Sequence, residues 1–123
     1  MDVVLIAEQI EKYILRINRE KDKLPELAKR KAETLAEYER QLAITILRLK
    51  NGDISSFEGQ EVGSLPATLI EKTAKGMCWK ERLETDFAEA NYKAVITNIQ
   101  ALEAQLNGYQ SLYKYLREEV QVE

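Results

Sequence analysis

Histidine is absent from this 123-residue chain. That absence removes Ser-His and Cys-His nucleophile pairs, His-containing zinc sites and the commonest general base near neutral pH. A single cysteine, Cys78, cannot form an intrachain disulfide, which points to a reducing, cytoplasmic compartment. Two prolines and five glycines leave few places for the chain to break, so long helices are favoured over a loop-rich or all-β fold. No apolar run approaches the ~20 residues that a membrane span needs. The start, Met1-Asp2 and then Val3 to Ile6, lacks the basic-plus-apolar pattern of a signal peptide. The phosphate-loop pattern Gly-x-x-x-x-Gly-Lys does not occur.

What remains is strongly periodic. From Val3, alternating steps of four and three reach Ala7, Ile10, Ile14, Ile17, Lys21, Leu24, Ala28, Lys31, Leu35, Tyr38, Leu42, Thr45 and Leu49, and eleven of these fourteen positions are apolar. That is a heptad seam. Pro25 falls inside it and predicts a kink, but the seam keeps phase from Ile17 to Leu35, as a bent helix does and a reversal need not. Asn51-Gly52 should end this helix, because glycine readily takes the left-handed conformation. Residues 53–64 carry Ile54, Phe57 and Val62 around Glu58-Gly59-Gln60, which suits a small hairpin or ordered loop. A two-stranded hairpin is marginal alone and needs something packed on it.

Pro66 then opens a second helical stretch, where Thr68-Leu69-Ile70-Glu71 has capping-box form. Gly76 is expected to be a joint, with Trp79 packing beside it. Further on, Val95, Ile99, Leu102, Leu106, Tyr109, Tyr113, Leu116 and Val120 form an unbroken seam that passes through Asn107-Gly108 in phase. Trp79, Leu83, Phe87, Ala90 and Ala94 run on a shifted stripe, as a drift or stutter of the repeat produces.

The expected fold is therefore all-α. A long antiparallel helical hairpin, with helices over about 2–50 (kinked near 25) and 66–119 (jointed near 76) and a non-helical or β-hairpin insertion at 51–65, makes a single domain over 1–123. Two helices side by side cannot enclose a core, and Leu5, Ile6, Leu15, Leu27, Ile46, Leu47, Ile96 and Leu112 widen the apolar stripe to the breadth of a bundle. Homo-oligomerisation into a bundle, as a dimer or higher, follows. The competing arrangement is a compact monomer folded back at Pro25.

Charge is distributed unevenly. Residues 12–31 hold eight Lys/Arg against three acids, a local +5 in a chain whose total is −3. Lys12, Arg16, Arg19 and Lys23 line one helix side and could engage phosphates or an acidic protein surface; the alternative is an ordinary solvated face. Lys21 and Lys31 occupy seam positions, where a cation sets register, lays its stem flat or lines a polar pocket. Phe57 on the insertion, and Tyr115 with Arg117 beside Tyr109 and Tyr113, are further candidate contacts; the last two tyrosines are expected to fill core. Carboxylate pairs at Glu81/Glu84 and Asp86/Glu89 have the spacing of a Mg²⁺-dependent all-α nucleotide pyrophosphohydrolase, but Lys80 and Arg82 share their turn. No catalytic residue, cofactor or metal is assigned, and Cys78 is expected to be a buried thiol.

From Pro66 onward the chain resembles small helical proteins encoded by phages and prophages of Gram-positive bacteria. The resemblance is carried by Pro66-Ala67-Thr68-Leu69-Ile70-Glu71-Lys72, by Gly76-Met77-Cys78-Trp79-Lys80-Glu81-Arg82-Leu83, and by Ala104-Gln105-Leu106-Asn107-Gly108-Tyr109-Gln110-Ser111. It implies a phage context in the cytoplasm of a bacterial host. It also implies action by binding: inhibiting a host defence complex, sequestering a signalling nucleotide, or assisting replication and recombination through contact with nucleic acid.

Overall fold

The computed structural model describes residues 2–122, with the side chains of 120–122 left aside. Within them the chain is all-α apart from a two-stranded ribbon. In order it forms α1 (Val3–Asp22), α2 (Leu24–Lys50), β1 (Ser56–Phe57), β2 (Gln60–Glu61), α3 (Ala67–Met77) and α4 (Trp79–Val122). Two compact units emerge, one built from Met1–Leu27 with Asn91–Glu123, the other from Ala28–Ala90.

Local chemistry explains each end. The Asp2 carboxylate accepts from the Val4 N–H at 3.1 Å and caps α1. The Pro25 kink resolves as a one-residue break at Lys23, which stays in right-handed helical conformation (φ −78°, ψ −22°). Pro25 thereby falls in the first turn of α2, where its missing N–H interrupts least. The C-terminus of α2 is a Schellman motif: Gly52 sits at φ +75°, its N–H donates to Leu49 O, and Asp53 N–H donates to Arg48 O. In the ribbon Ser56 pairs with Glu61 and Phe57 with Gln60, and the turn residues Glu58 and Gly59 both have positive φ. That is the primed-turn geometry a two-residue hairpin requires.

Two boundary expectations are corrected. The cap of α3 is Pro66, with no side-chain hydrogen bond. Thr68 lies one residue inside the helix, too late to reach the orphan N–H groups, so the capping box does not form. The joint falls at Cys78 (φ −94°, ψ 27°) instead of Gly76, which remains helical.

In the first unit Ile17, Ile99 and Leu102 are the buried centre, with Tyr13, Leu24, Val95 and Leu106 packed on it. The rings of Tyr13 and Tyr109 lie 5.3 Å apart, tilted by 38°. Tyr13 meets Tyr109 and, further along α1, Glu20 meets Asn98, so the two run antiparallel here. The seam from Val95 to Leu116 is inward throughout; its last member, Val120, has its side chain outside the described residues.

The predicted seam over α1 and the start of α2 is met in part. Val3, Ala7, Ile10, Ile17 and Leu24 turn inward, but Ile14 and Lys21 are exposed, and Ile6, Tyr13, Glu20 and Leu27 turn inward instead. A heptad read from a shared position admits a +3 and a +4 row, and apolar count favours the latter. The facing helix selects the former, because Tyr13 there meets Tyr109.

In the second unit Leu49, Val62, Ile70 and Ala74 form the core, and Leu42, Ile46, Ile54, Phe57, Leu65 and Met77 close around it. The ribbon thus gains the packing it needs. Beyond that core the interior turns small and polar: Thr34, Tyr38, Cys78, Thr85 and Ala88 are buried, and Cys78 Sγ lies 3.5 Å from Thr45 Oγ1. The stripe of Trp79, Leu83, Phe87, Ala90 and Ala94 is exposed at every position. On α4 the residues spaced backward from Val95 by three and four, Tyr92, Ala88, Thr85 and Glu81, are therefore buried or half-buried without a stutter.

Two comparisons test these interiors. Ile17→Ala removes a buried side chain and is expected to destabilise by about 2–4 kcal/mol in urea unfolding, against about 1 kcal/mol or less for Leu35→Ala on the exposed row. The Thr34 hydroxyl donates to Arg30 O at 2.9 Å, whereas the buried Thr85 hydroxyl has no partner. Thr85→Val is expected to stabilise by about 1 kcal/mol and Thr34→Val to destabilise by a similar amount, read as opposite shifts of the urea midpoint.

Candidate interaction surfaces

The basic row lies on α1, opposite the side where Ile14 emerges. Lys12, Arg16, Arg19 and Lys23 are all exposed. Their surroundings differ. The Arg16 guanidinium sits 5.3 Å over the Tyr13 ring, which steadies it by cation–π attraction. Lys23 Nζ donates to Glu20 Oε1 at 2.7 Å. Lys23 first, and then the Asn98 amide, hold the Glu20 carboxyl below its usual range. The row's end is thus partly neutralised, and its free positive charge centres on Lys12, Arg16 and Arg19.

The two lysines expected on the seam separate. Lys21 is outside it, lining a cavity of about 270 Å³ with Ile14, Asn18, Glu103 and Asn107. Lys31 is half-buried at a true seam position of α2 and has an interaction partner. Phe57 is half-buried in the second unit's core, and its outer edge, with Glu58, Lys72 and Gly76, lines an open cleft of about 680 Å³. Tyr115 is exposed, and Arg117 borders a hollow of about 260 Å³ with Tyr113, Lys114 and Glu118. Tyr109 and Tyr113 are half-buried, in line with their expected packing.

The carboxylate pairs do not assemble. Glu81 is half-buried, Glu84 exposed, and both Asp86 oxygens lie within 3.3 Å of Arg82 Nε. Arg82 also lies 5.8 Å over the Tyr38 ring, and Tyr38 and then Asp86 raise its pKa further. Among the described residues no group of three or more His, Cys, Asp or Glu could hold a metal ion.

Sequence reasoning missed one surface. Trp79 does not pack beside the joint; it is 52% exposed, with Lys80 Nζ 5.5 Å over its ring, and Leu83 and Phe87 follow at 45% and 62%. These three lie one turn apart on α4, opposite Thr85 and Ala88. The shifted stripe was the signal, and its meaning is a second face rather than a displaced core.

No helix among the described residues is long and apolar enough to cross a membrane. No protein-family model, curated protein or solved structure matches this chain.

The Glu20–Lys23 pair gives a titration test. A depressed carboxyl pKa contributes stability above the ordinary carboxylate range, and that contribution is lost as pH falls through the depressed value. Lys23→Ala is expected to return the Glu20 pKa toward its usual value in carboxyl ¹³C NMR. An unmoved titration curve would show that Lys23 is not its main cause.

Proposed function

We propose that this chain is a non-catalytic binding protein: helical hairpins close on further copies of themselves as a bundle and present α1's basic row to a host factor, which is thereby inhibited or sequestered. The observation that carries this reading is the large apolar surface left uncovered. Val4, Leu5, Ile14, Leu15, Leu35, Ile44, Leu47, Leu69, Trp79, Leu83, Phe87 and Tyr115 are exposed, while Thr34 and Thr85 are buried. An isolated surface leucine means little, but so many on a scaffold this small indicate association. The phage counter-defence setting rests on the resemblance from Pro66 onward. The target's chemistry rests on Lys12, Arg16 and Arg19, which suit an anionic partner such as an acidic protein face or a nucleotide.

A second reading, an accessory protein of phage DNA replication or recombination, draws on the same exposed cations. Salt separates the two, because phosphate contacts release counterions and weaken steeply with ionic strength. Fluorescence anisotropy with a short labelled duplex and with a labelled acidic peptide is the measurement. Binding of the peptide alone, lost in Arg16→Glu/Arg19→Glu, is the expected result. Salt-sensitive duplex binding lost in the same variant would favour the DNA reading. Full binding by the charge-reversed protein would remove the basic row from both.

A further inference from the structure

We infer that the Trp79/Leu83/Phe87 face of α4 is where a second copy of this chain docks, with the two α4 segments antiparallel across a two-fold axis at Leu83. The inference deepens the self-association just proposed, on which it rests, by naming the face, the register and the direction.

Three observations lead there. The first is the inversion of the helix itself. Over 79–90 it buries Thr85 and Ala88 and turns its largest apolar side chains, Trp79, Leu83 and Phe87, to the opposite side. Burial of aromatic and leucine side chains is the main source of association energy, so a helix with its bulk outward is shaped for a partner on that side.

The second is the symmetry of the stripe. At about 100° per residue, Trp79 and Phe87 fall about 40° to either side of Leu83. A closed two-fold interface uses the same patch on both subunits. An antiparallel pair centred on Leu83 sets Leu83 against itself and brings Trp79 of each copy level with Phe87 of the other, an aromatic contact at each end.

The third is charge, which selects direction. Lys80 and Glu84 border one edge of the stripe, and Arg82 and Asp86 border the other, at equal angles from Leu83. In the antiparallel arrangement like edges face each other, so Lys80 of one copy comes within about 3 Å along the axis of Glu84 of the other, and Arg82 likewise of Asp86. A parallel pair would instead set Lys80 beside Arg82 and Glu84 beside Asp86, two like-charge contacts on each side against one opposite pair, Glu84 with Arg82. The antiparallel pair has two opposite contacts on each side against one like pair. Within one chain Lys80 lies over the Trp79 ring and Arg82 holds Asp86, so these charges already border the stripe. A charged rim around an aromatic centre is how specific interfaces are built.

The test uses the full chain. Sedimentation equilibrium is expected to show a dimer that Leu83→Asp weakens by about tenfold or more, with the helical circular dichroism unchanged. Lys80→Glu and Glu84→Lys should each weaken self-association, and an equimolar mixture of the two variants should form a heterodimer in which all four edge charges are matched. Direction is read by cysteine cross-linking in a Cys78→Ser background. Leu83→Cys should form a disulfide-linked dimer with itself, whereas Trp79→Cys should link efficiently only when mixed with Phe87→Cys. Self-linking at residues 79 and 87 would overturn the antiparallel register. A dimer of unchanged strength in Leu83→Asp would overturn this face and leave self-association standing. A monomer at every concentration would overturn both.

Discussion

Everything in this protein depends on one geometric constraint: a heptad helix offers more apolar surface than a single antiparallel partner can cover. The positions Val3, Ile10, Ile17 and Leu24 are common to both candidate rows of α1, and each can be joined to its neighbours by steps of three or four. One row meets the facing helix. The other is left at the surface from Ile14 and Lys21 on α1 to Leu35 on α2, and only its far end, Leu42 and Leu49, turns into the second unit's core. On α4 the same excess appears as two opposite faces, one carrying Thr85 and Ala88, the other Leu83 and Phe87. The apolar positions that pack within the chain and those left exposed are thus written in the same repeat.

That is also why part of the architecture was legible in the sequence and part was not. Features set by a few adjacent residues could be read directly. Gly52 closes α2 because no other residue type takes its backbone conformation so readily, and the Val95–Leu116 seam runs through Gly108 because its apolar side chains have one place to go. For residues 53–64 the sequence left a hairpin and an ordered loop both open. The choice between the two rows of α1 was not legible. Apolarity marks a residue for burial without saying against what, and a row that stays exposed scores as well as a row that enters the core. The same ambiguity made Trp79 resemble a joint-packing residue. Lys21 and Lys31 both fell on the predicted seam, but Lys21 belongs to the row left exposed and Lys31 to the positions common to both rows.

The candidate binding row shows the complementary limit. Spacing alone predicted that Lys12, Arg16, Arg19 and Lys23 share a side, and all four are exposed. Spacing could not show that Glu20, one step toward the interior, would draw Lys23 down while Asn98 held the carboxylate from across the unit. Four formal charges become a patch of three. Recognition by such a patch is governed less by the number of cations than by how much of their charge a neighbouring carboxylate already offsets.

The position of the only tryptophan has a consequence for how this protein is observed. Indole emission normally tracks the loss of a core, but Trp79 is half in water from the outset and belongs to no buried cluster. Its spectrum should change little when Ile17 and Leu102 lose their contacts. The chain's intrinsic fluorophore is therefore a gauge of traffic at its exterior, while melting of the interior has to be followed through the tyrosines, Tyr13 and Tyr109 above all.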